Sequence, residues 1–317
     1  MTISFSLRNK RVFVAGHNGM VGAVTVRRLQ SEGCEILTVE KSACDLRRQS
    51  DAESWMEMHR PEAVVLAAAR VGGIKANKDF PADFLYDNLM IEANVIHAAY
   101  KTRVQKLLFL GSSCIYPKHA PQPIVEEALL TGALEETNEA YAIAKIAGIK
   151  LCQSYRRQHG CDFISAMPCN LYGVGDTYDA QRSHVIPALI MKLHAAKDSR
   201  ENVTLWGTGT PLREFLYVDD LADALVFLLK NYSGESPVNV GSGVEISIAG
   251  LAREIAVVTG YDGDIKFDPS MPDGTPRKLM DGGRINALGW RARTGLHEGL
   301  QSAYADYLKK VDRRDAA

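Results

Sequence analysis

A run of buried-strand character, RVFVAG, breaks at Gly16 into Gly16-His17-Asn18-Gly19-Met20-Val21-Gly22 and then into residues of helical periodicity. Glycines at that spacing serve a tight strand-to-helix turn, close approach of backbone to a pyrophosphate, and packing of the helix on a sheet. A helix opening there presents free N–H groups and a partial positive charge to an anion. The glycine pattern alone specifies no more than a tight turn. Its place at the first junction of a strand–helix–strand series is what points to a dinucleotide.

That series continues through the first half of the chain. RVFVAG, EILTVE, AVVLAAA, KLLFLGS and FISAMP read as buried strands, and segments around 20–32, 50–59, 83–102 and 139–158 have helical length and periodicity. Their alternation predicts an α/β fold, a Rossmann doubly wound parallel sheet with helices on both faces. After Asn170 the texture changes to Gly- and Tyr-rich stretches, LYGVGDTYDAQRSH and later PDGTPRK, with helical runs at DDLADALVFLLKN and about 246–259. We read a nucleotide-binding lobe over residues 1–173 and about 214–241. A smaller, irregular α/β substrate lobe then takes about 174–213 and 242–317. Asp219 is expected to cap a helix rather than to catalyse.

The formal net charge is −1 with no basic run, which argues against nucleic acid as a partner while leaving room for a small phosphorylated ligand. The N-terminal arm, MTISFSLRNK, lacks an apolar signal core, and no apolar run reaches membrane-spanning length. Cys34, Cys44, Cys114, Cys152, Cys161 and Cys169 show no CxxC spacing, so free thiols and a cytoplasmic address are expected, with no metal.

The second strand run ends at Glu40-Lys41, where the adenosine ribose of a dinucleotide should lie. Glu40 suits the 2′-hydroxyl of NAD, whereas Lys41, with Arg47 and Arg48 nearby, suits the 2′-phosphate of NADP. These residues leave both open. Further on, Tyr141-Ala-Ile-Ala-Lys145 places a phenol and an ammonium on one helix face. A lysine there is expected to lower the phenol's pKa and ready it for proton exchange with a carbonyl oxygen. Leu110-Gly111-Ser112-Ser113 ends the fourth strand on the carboxyl edge, where such sheets bind ligands, and either serine can bond the same oxygen.

The glycine turn, the serine after the fourth strand and YxxxK together resemble the extended short-chain dehydrogenase/reductases. The segments LAAARVGGIKAN, PADFLYDN, LFLGSSCIYPK, NEAYAIAKIAGIKLC, SHVIPALI, LWGTGTPLREFLYVDD and PDGTPRKLMD are similar to the GDP-L-fucose synthase family within them. That resemblance implies epimerisation of GDP-4-keto-6-deoxy-D-mannose at C3 and C5, followed by reduction of C4 with NADPH. It implies Ser112, Tyr141 and Lys145 as the reductive triad and Cys114 with His184 as the epimerising acid/base pair. Around the cofactor it places Gly16, Asn18, Gly19, Met20, Val21, Gly22, Glu40, Lys41, Leu110, Gly111, Ser112, Tyr141, Lys145, Pro168, Asn170, Leu171 and His184. Around the GDP-sugar it places Ser113, Lys192, Trp206, Arg213, Asp273 and Lys278. A homodimer through helices near 84–101 and 140–158 is implied as well. Asn18 departs from relatives that carry an arginine there. The GDP-colitose synthases, which act on a related keto-sugar, are the alternative. A dehydratase is disfavoured because no extra carboxylate follows Ser113, and a cofactor sensor because YxxxK is intact.

Overall fold

A computed structural model of the protein describes residues 5–179, 183–199, 201–271 and 273–315. Ala180 to Arg182 of the substrate loop, Pro272 of PDGTPRK and the first four residues of the N-terminal arm lie outside the described residues. The chain runs β1 (Arg11–Ala15), α1 (Met20–Leu29), β2 (Glu35–Leu37), α2 (Gln49–His59), β3 (Ala63–Leu66), α3 (Ile74–Asp79), α4 (Pro81–Lys101) and β4 (Lys106–Leu110). It continues through α5 (Glu139–His159), β5 (Phe163–Pro168), β6 (Asn170–Tyr172), α6 (Val185–Ala196), β7 (Val203–Trp206), β8 (Leu212–Tyr217) and α7 (Val218–Asn231). The remainder is β9 (Val238–Val240), β10 (Glu245–Ser247), α8 (Ile248–Thr259), β11 (Ile265–Asp268), β12 (Arg277–Lys278), α9 (Gly283–Leu288) and α10 (Leu296–Asp315).

The main sheet has the order β2-β1-β3-β4-β5-β9, with every neighbouring pair parallel. Because side chains alternate along a strand, β1 supplies both faces. Val12 and Val14 pack with Leu29 of α1 and Val226 of α7, while Phe13 turns to the opposite core and meets the Trp55 ring of α2 at 4.2 Å. Burial on both faces is why these strands read as continuous apolar runs. The strand order reverses between β1 and β3, which opens a ligand crevice at the carboxyl ends of those strands.

The strand expected to reach Glu40 stops at Leu37. It lies at the sheet edge, and its only neighbour, β1, matches it over just Arg11 to Phe13. The segment read as irregular also carries regular helices α6 and α10. With α8 they bury Ile186, Leu189, Ile190, Leu251, Ile255, Leu300 and Tyr307 in a second core. The expected cap at Asp219 is not made: α7 begins at Val218 with Tyr217 as N-cap. Asp219 instead sits in the first turn, where a carboxylate is favoured by the helix dipole, and pairs with Arg27 of α1.

Asp176, in the loop after β6, is 7% exposed, and its Oδ2 has no hydrogen-bond partner among the described residues. Burial is the main reason its carboxyl is pushed up to about 6; Asp306 adds to the rise, while Lys310 and the Thr177 N–H oppose it. Its pKa is thus higher folded than unfolded, so its contribution to stability is present in acid and is lost as pH rises through 6. Asp176→Asn should therefore stabilise the protein increasingly from about pH 4 to pH 6 and by a constant amount above, about 1–3 kcal/mol near neutrality. Urea denaturation at successive pH values checks this.

Candidate active site

The first βα turn is built to admit another molecule's backbone-like groups. Gly16 adopts φ +91°, and a Cβ on Gly22 would stand 2.0 Å from the Gly16 carbonyl oxygen. Gly19 is the N-cap of α1 and supplies no side-chain cap. The first helical bond runs from the Ala23 N–H, so the amides of Met20, Val21 and Gly22 lie outside the helix's own ladder and face an incoming anion. These features fit a dinucleotide pyrophosphate.

At the ribose end, Glu40 is tied back to the turn. Its carboxylate accepts from Asn18 Nδ2 at 2.8 Å and meets His17 Nε2 at 3.1 Å, and these bonds hold its carboxyl below the usual range. Arg47 is not free for a phosphate as the sequence had led us to expect. Its guanidinium is spent on Asp45 at 2.6 Å and on Asp87 of α4 at 3.1 Å. Lys41 and Arg48 remain as the exposed cations beside Glu40.

Ser112, Cys114, Tyr141 and Lys145 come together at the carboxyl end of β4, where a 3₁₀ turn (Ser113–Ile115) meets α5. Ser112 Oγ accepts from the Cys114 N–H at 3.3 Å, fixing the turn that presents the thiol. Lys145 Nζ lies 5.9 Å from the Tyr141 ring centroid. The expected lowering of the phenol does not occur. Surrounding protein pushes the Tyr141 pKa up, the charges of Cys114 and Glu92 add to the rise, and a hydrogen bond with Ser112 opposes it. The lysine charge is instead directed to Glu92 of α4, 2.9 Å away.

The other wall comes from strand β12, which returns the chain beside β8 with Lys278 opposite Arg213. Lys278 Nζ thereby reaches within 3.8 Å of Cys114 Sγ, and both line a cavity with Gln122, Asn138, Thr275 and Arg277. Glu214, fully buried on β8, secures this return by accepting from Met280 N at 3.0 Å and Gly243 N at 2.8 Å. Asp273 accepts from Thr208 N and Oγ1 at 2.9 and 2.7 Å, and Gly207, at φ +79°, leaves room for that carboxylate. Trp206 is 69% exposed at the end of β7, so it is a surface for contact rather than core. Lys192 on α6 donates to the Thr204 carbonyl at 2.6 Å.

His184 holds the N-cap position of α6 at the surface, yet crowding by protein lowers its pKa. Among the described residues no hydrogen bond joins it to Cys114 or Tyr141. Pro168 ends β5 opposite Val240, while Asn170 and Leu171 lie on β6, with Asn170 Nδ2 donating to the Glu214 carbonyl at 2.9 Å. Three polar residues escaped the sequence reading: Glu92, Glu214, and Asn138, whose Oδ1 is buried in the cavity wall without a partner among the described residues. Asn138 stood in plain view, three residues before Tyr141. The two glutamates carried no local signal.

The model of the NAD dependent epimerase/dehydratase family matches residues 12–241. The chain belongs to that family. Within it, a GDP-L-fucose synthase of Sinorhizobium fredii is 56% identical over 308 residues, spanning 97% of this chain and 98% of that protein. A GDP-L-colitose synthase of Yersinia pseudotuberculosis is 36% identical over 303 residues, spanning 95% of this chain and 98% of the other. Among solved structures, a GDP-L-fucose synthetase from Naegleria fowleri bound to NADP superposes with a TM-score of 0.89 at 27% identity, covering 98% of this chain and 97% of that one.

With Arg47 held by Asp45 and Asp87, Lys41, adjacent in sequence to Glu40, is an exposed cation available to a 2′-phosphate. Lys41→Ala should weaken binding of a 2′-phosphorylated nicotinamide dinucleotide about tenfold and leave the unphosphorylated form within about twofold. Fluorescence titration with both forms measures the difference.

Proposed function

We propose that this chain converts GDP-4-keto-6-deoxy-D-mannose to GDP-L-fucose, epimerising C3 and C5 and then reducing C4 with NADPH. The observation that carries this reading is full-length identity of 56% to a GDP-L-fucose synthase, joined to a site where a thiol, a serine–tyrosine pair and cations converge. The colitose alternative is less favoured, since identity to that relative falls to 36%.

A ketone at C4 acidifies the hydrogens on both neighbouring carbons, so a single set of groups at the C4 oxygen serves all three steps. Ser112 and Tyr141 hydrogen-bond that oxygen and stabilise the enolate of each epimerisation and the alkoxide of the reduction. Cys114 exchanges a proton with the ring from one face, with the Lys278 ammonium beside its sulfur as negative charge develops there. His184, at the start of α6, serves the opposite face. The glycine turn and Lys41 would hold NADPH, which when bound would supply the hydride for C4. Tyr141 gives its proton to the C4 oxygen.

Arg213 and Lys278 suit the diphosphate of the substrate, Trp206 and Lys192 its outer parts, while Asp273 shapes the loop after β7. The two cores support a division into the nucleotide lobe and substrate lobe outlined above, with the site between them. The six cysteines are free thiols, which suits a reducing, cytoplasmic setting. No helix among the described residues is long and apolar enough to cross a membrane. Exposed apolar side chains on α4 and α5, Tyr86 at 62% and Ile143 at 44%, support pairing of two copies through those helices.

Purified protein mixed with NADPH and GDP-4-keto-6-deoxy-D-mannose should consume the two in equal amounts; no consumption with authentic substrate would remove this reading. Tyr141→Phe should lower the reduction rate by at least about a hundredfold. Cys114→Ser should suppress exchange of the C3 and C5 hydrogens with D2O by a similar factor, read by mass spectrometry.

A further inference from the structure

Among the buried acids that the roles proposed above leave without a task, Glu92 is the one paired with Lys145. Glu92 lies in the middle of α4 and is 1% exposed, where an ionised carboxylate is costly unless it is paired. Its Oε1 stands 2.9 Å from Lys145 Nζ, and the two side chains are each 2% exposed; burial raises the Glu92 pKa, and the charge and hydrogen bond of Lys145 oppose that rise. Gly148, three residues beyond Lys145 on α5, makes room for this pair. A Cβ there would meet Glu92 Oε2 at 2.7 Å and the Phe109 ring at 2.5 Å. The ammonium is held over the Phe109 ring at 4.8 Å, with the Tyr141 ring on its other side at 5.9 Å.

The titratable groups within reach of the Glu92 charge are Tyr141, Lys145 and Cys152, all on α5. On α4 one turn earlier, Asn88 is neutral and spent on the Arg70 and Phe84 carbonyls. From the sheet, β4 contributes the Phe109 ring, and the turn that follows it brings the Ser112 hydroxyl and the Cys114 thiol to Tyr141. An ammonium alone beside a catalytic phenol would favour phenolate. Phenolate is the wrong form for a site that reduces a ketone. In that reaction the hydride forms the new C–H bond, the phenol O–H breaks, and its proton forms the alcohol O–H.

We propose that Glu92 is a positioning residue acting through Lys145: its carboxylate holds the ammonium beside Tyr141 and offsets its charge, so that Tyr141 stands as a proton donor. This rests on the reading of Tyr141 and Lys145 as the reductive pair. The raised Tyr141 pKa, to which Glu92 contributes, agrees with it.

Glu92→Gln keeps the shape and removes the charge. With NADPH and GDP-4-keto-6-deoxy-D-mannose, the alkaline limb of kcat for reduction should move to lower pH by about one unit. At neutral pH the KM for NADPH and the rate of C3 and C5 hydrogen exchange in D2O should stay within about twofold of the parent. Glu92→Asp, one methylene shorter, should keep the limb near its parental position, and it separates charge from shape if the Gln variant does not fold. A limb unmoved in Glu92→Gln, or moved equally in both variants, would overturn the role, as would equal losses in exchange and reduction. Tyr141→Phe is run alongside. If it reduces normally, the reductive reading falls with everything built on it. If it is inactive while the Glu92→Gln profile matches the parent, only the role of Glu92 falls.

Discussion

The cavity at Cys114 depends on one buried carboxylate, Glu214, and on what it accepts. It sits on β8, which pairs with β6 and β12 in parallel and with β10 antiparallel, so three separate stretches of chain meet there. Backbone N–H groups of Gly243 and Met280 converge on its oxygens from two of the returning segments. A buried acid that can be satisfied only when both segments are home makes their placement cooperative. Burial raises its pKa, and those backbone donors oppose the rise. Lys278, two residues before Met280, is delivered to Cys114 as a consequence.

The same logic, with a cation as partner, operates on the other side of the site. α4 and α5 pack along their length, and the Glu92–Lys145 pair lies inside that packing rather than at its rim. Gly148 permits the approach, because any side chain there would displace either the carboxylate or the Phe109 ring. Tyr141 and Lys145 are therefore set by the α4–α5–β4 junction. The Cys114 thiol is set by a short 3₁₀ turn and by a lysine from far along the chain.

Much of this was legible before any coordinates. The glycine turn, four of the five strands read as buried and the long helices follow from periodicity and composition, since a sheet buried on both faces leaves an unbroken apolar signature; EILTVE, read as buried, is instead a short edge strand without a buried residue. Ser112, Cys114, Tyr141 and Lys145 were legible from motif and from their places at the ends of elements. The partners of the charges were not. Arg47 looked free for a phosphate and is consumed by Asp45 and Asp87, the latter 40 residues away. Asp219 looked like a cap and is an ion-pair partner of Arg27. Lys145 looked like the group that ionises Tyr141 and is turned to Glu92.

The residue sequence by itself determined the α/β architecture, the glycine turn and the placing of Ser112, Cys114, Tyr141 and Lys145 at the ends of elements, because each rests on local backbone geometry or on neighbours within one element. Tertiary structure alone decided the electrostatics: which cations are paired, which carboxylates lie beside Lys145 and the returning strands, and in which direction burial moves the Tyr141 pKa. Charge pairing acts across space between residues distant in the chain, and its strength depends on burial, which no local pattern encodes.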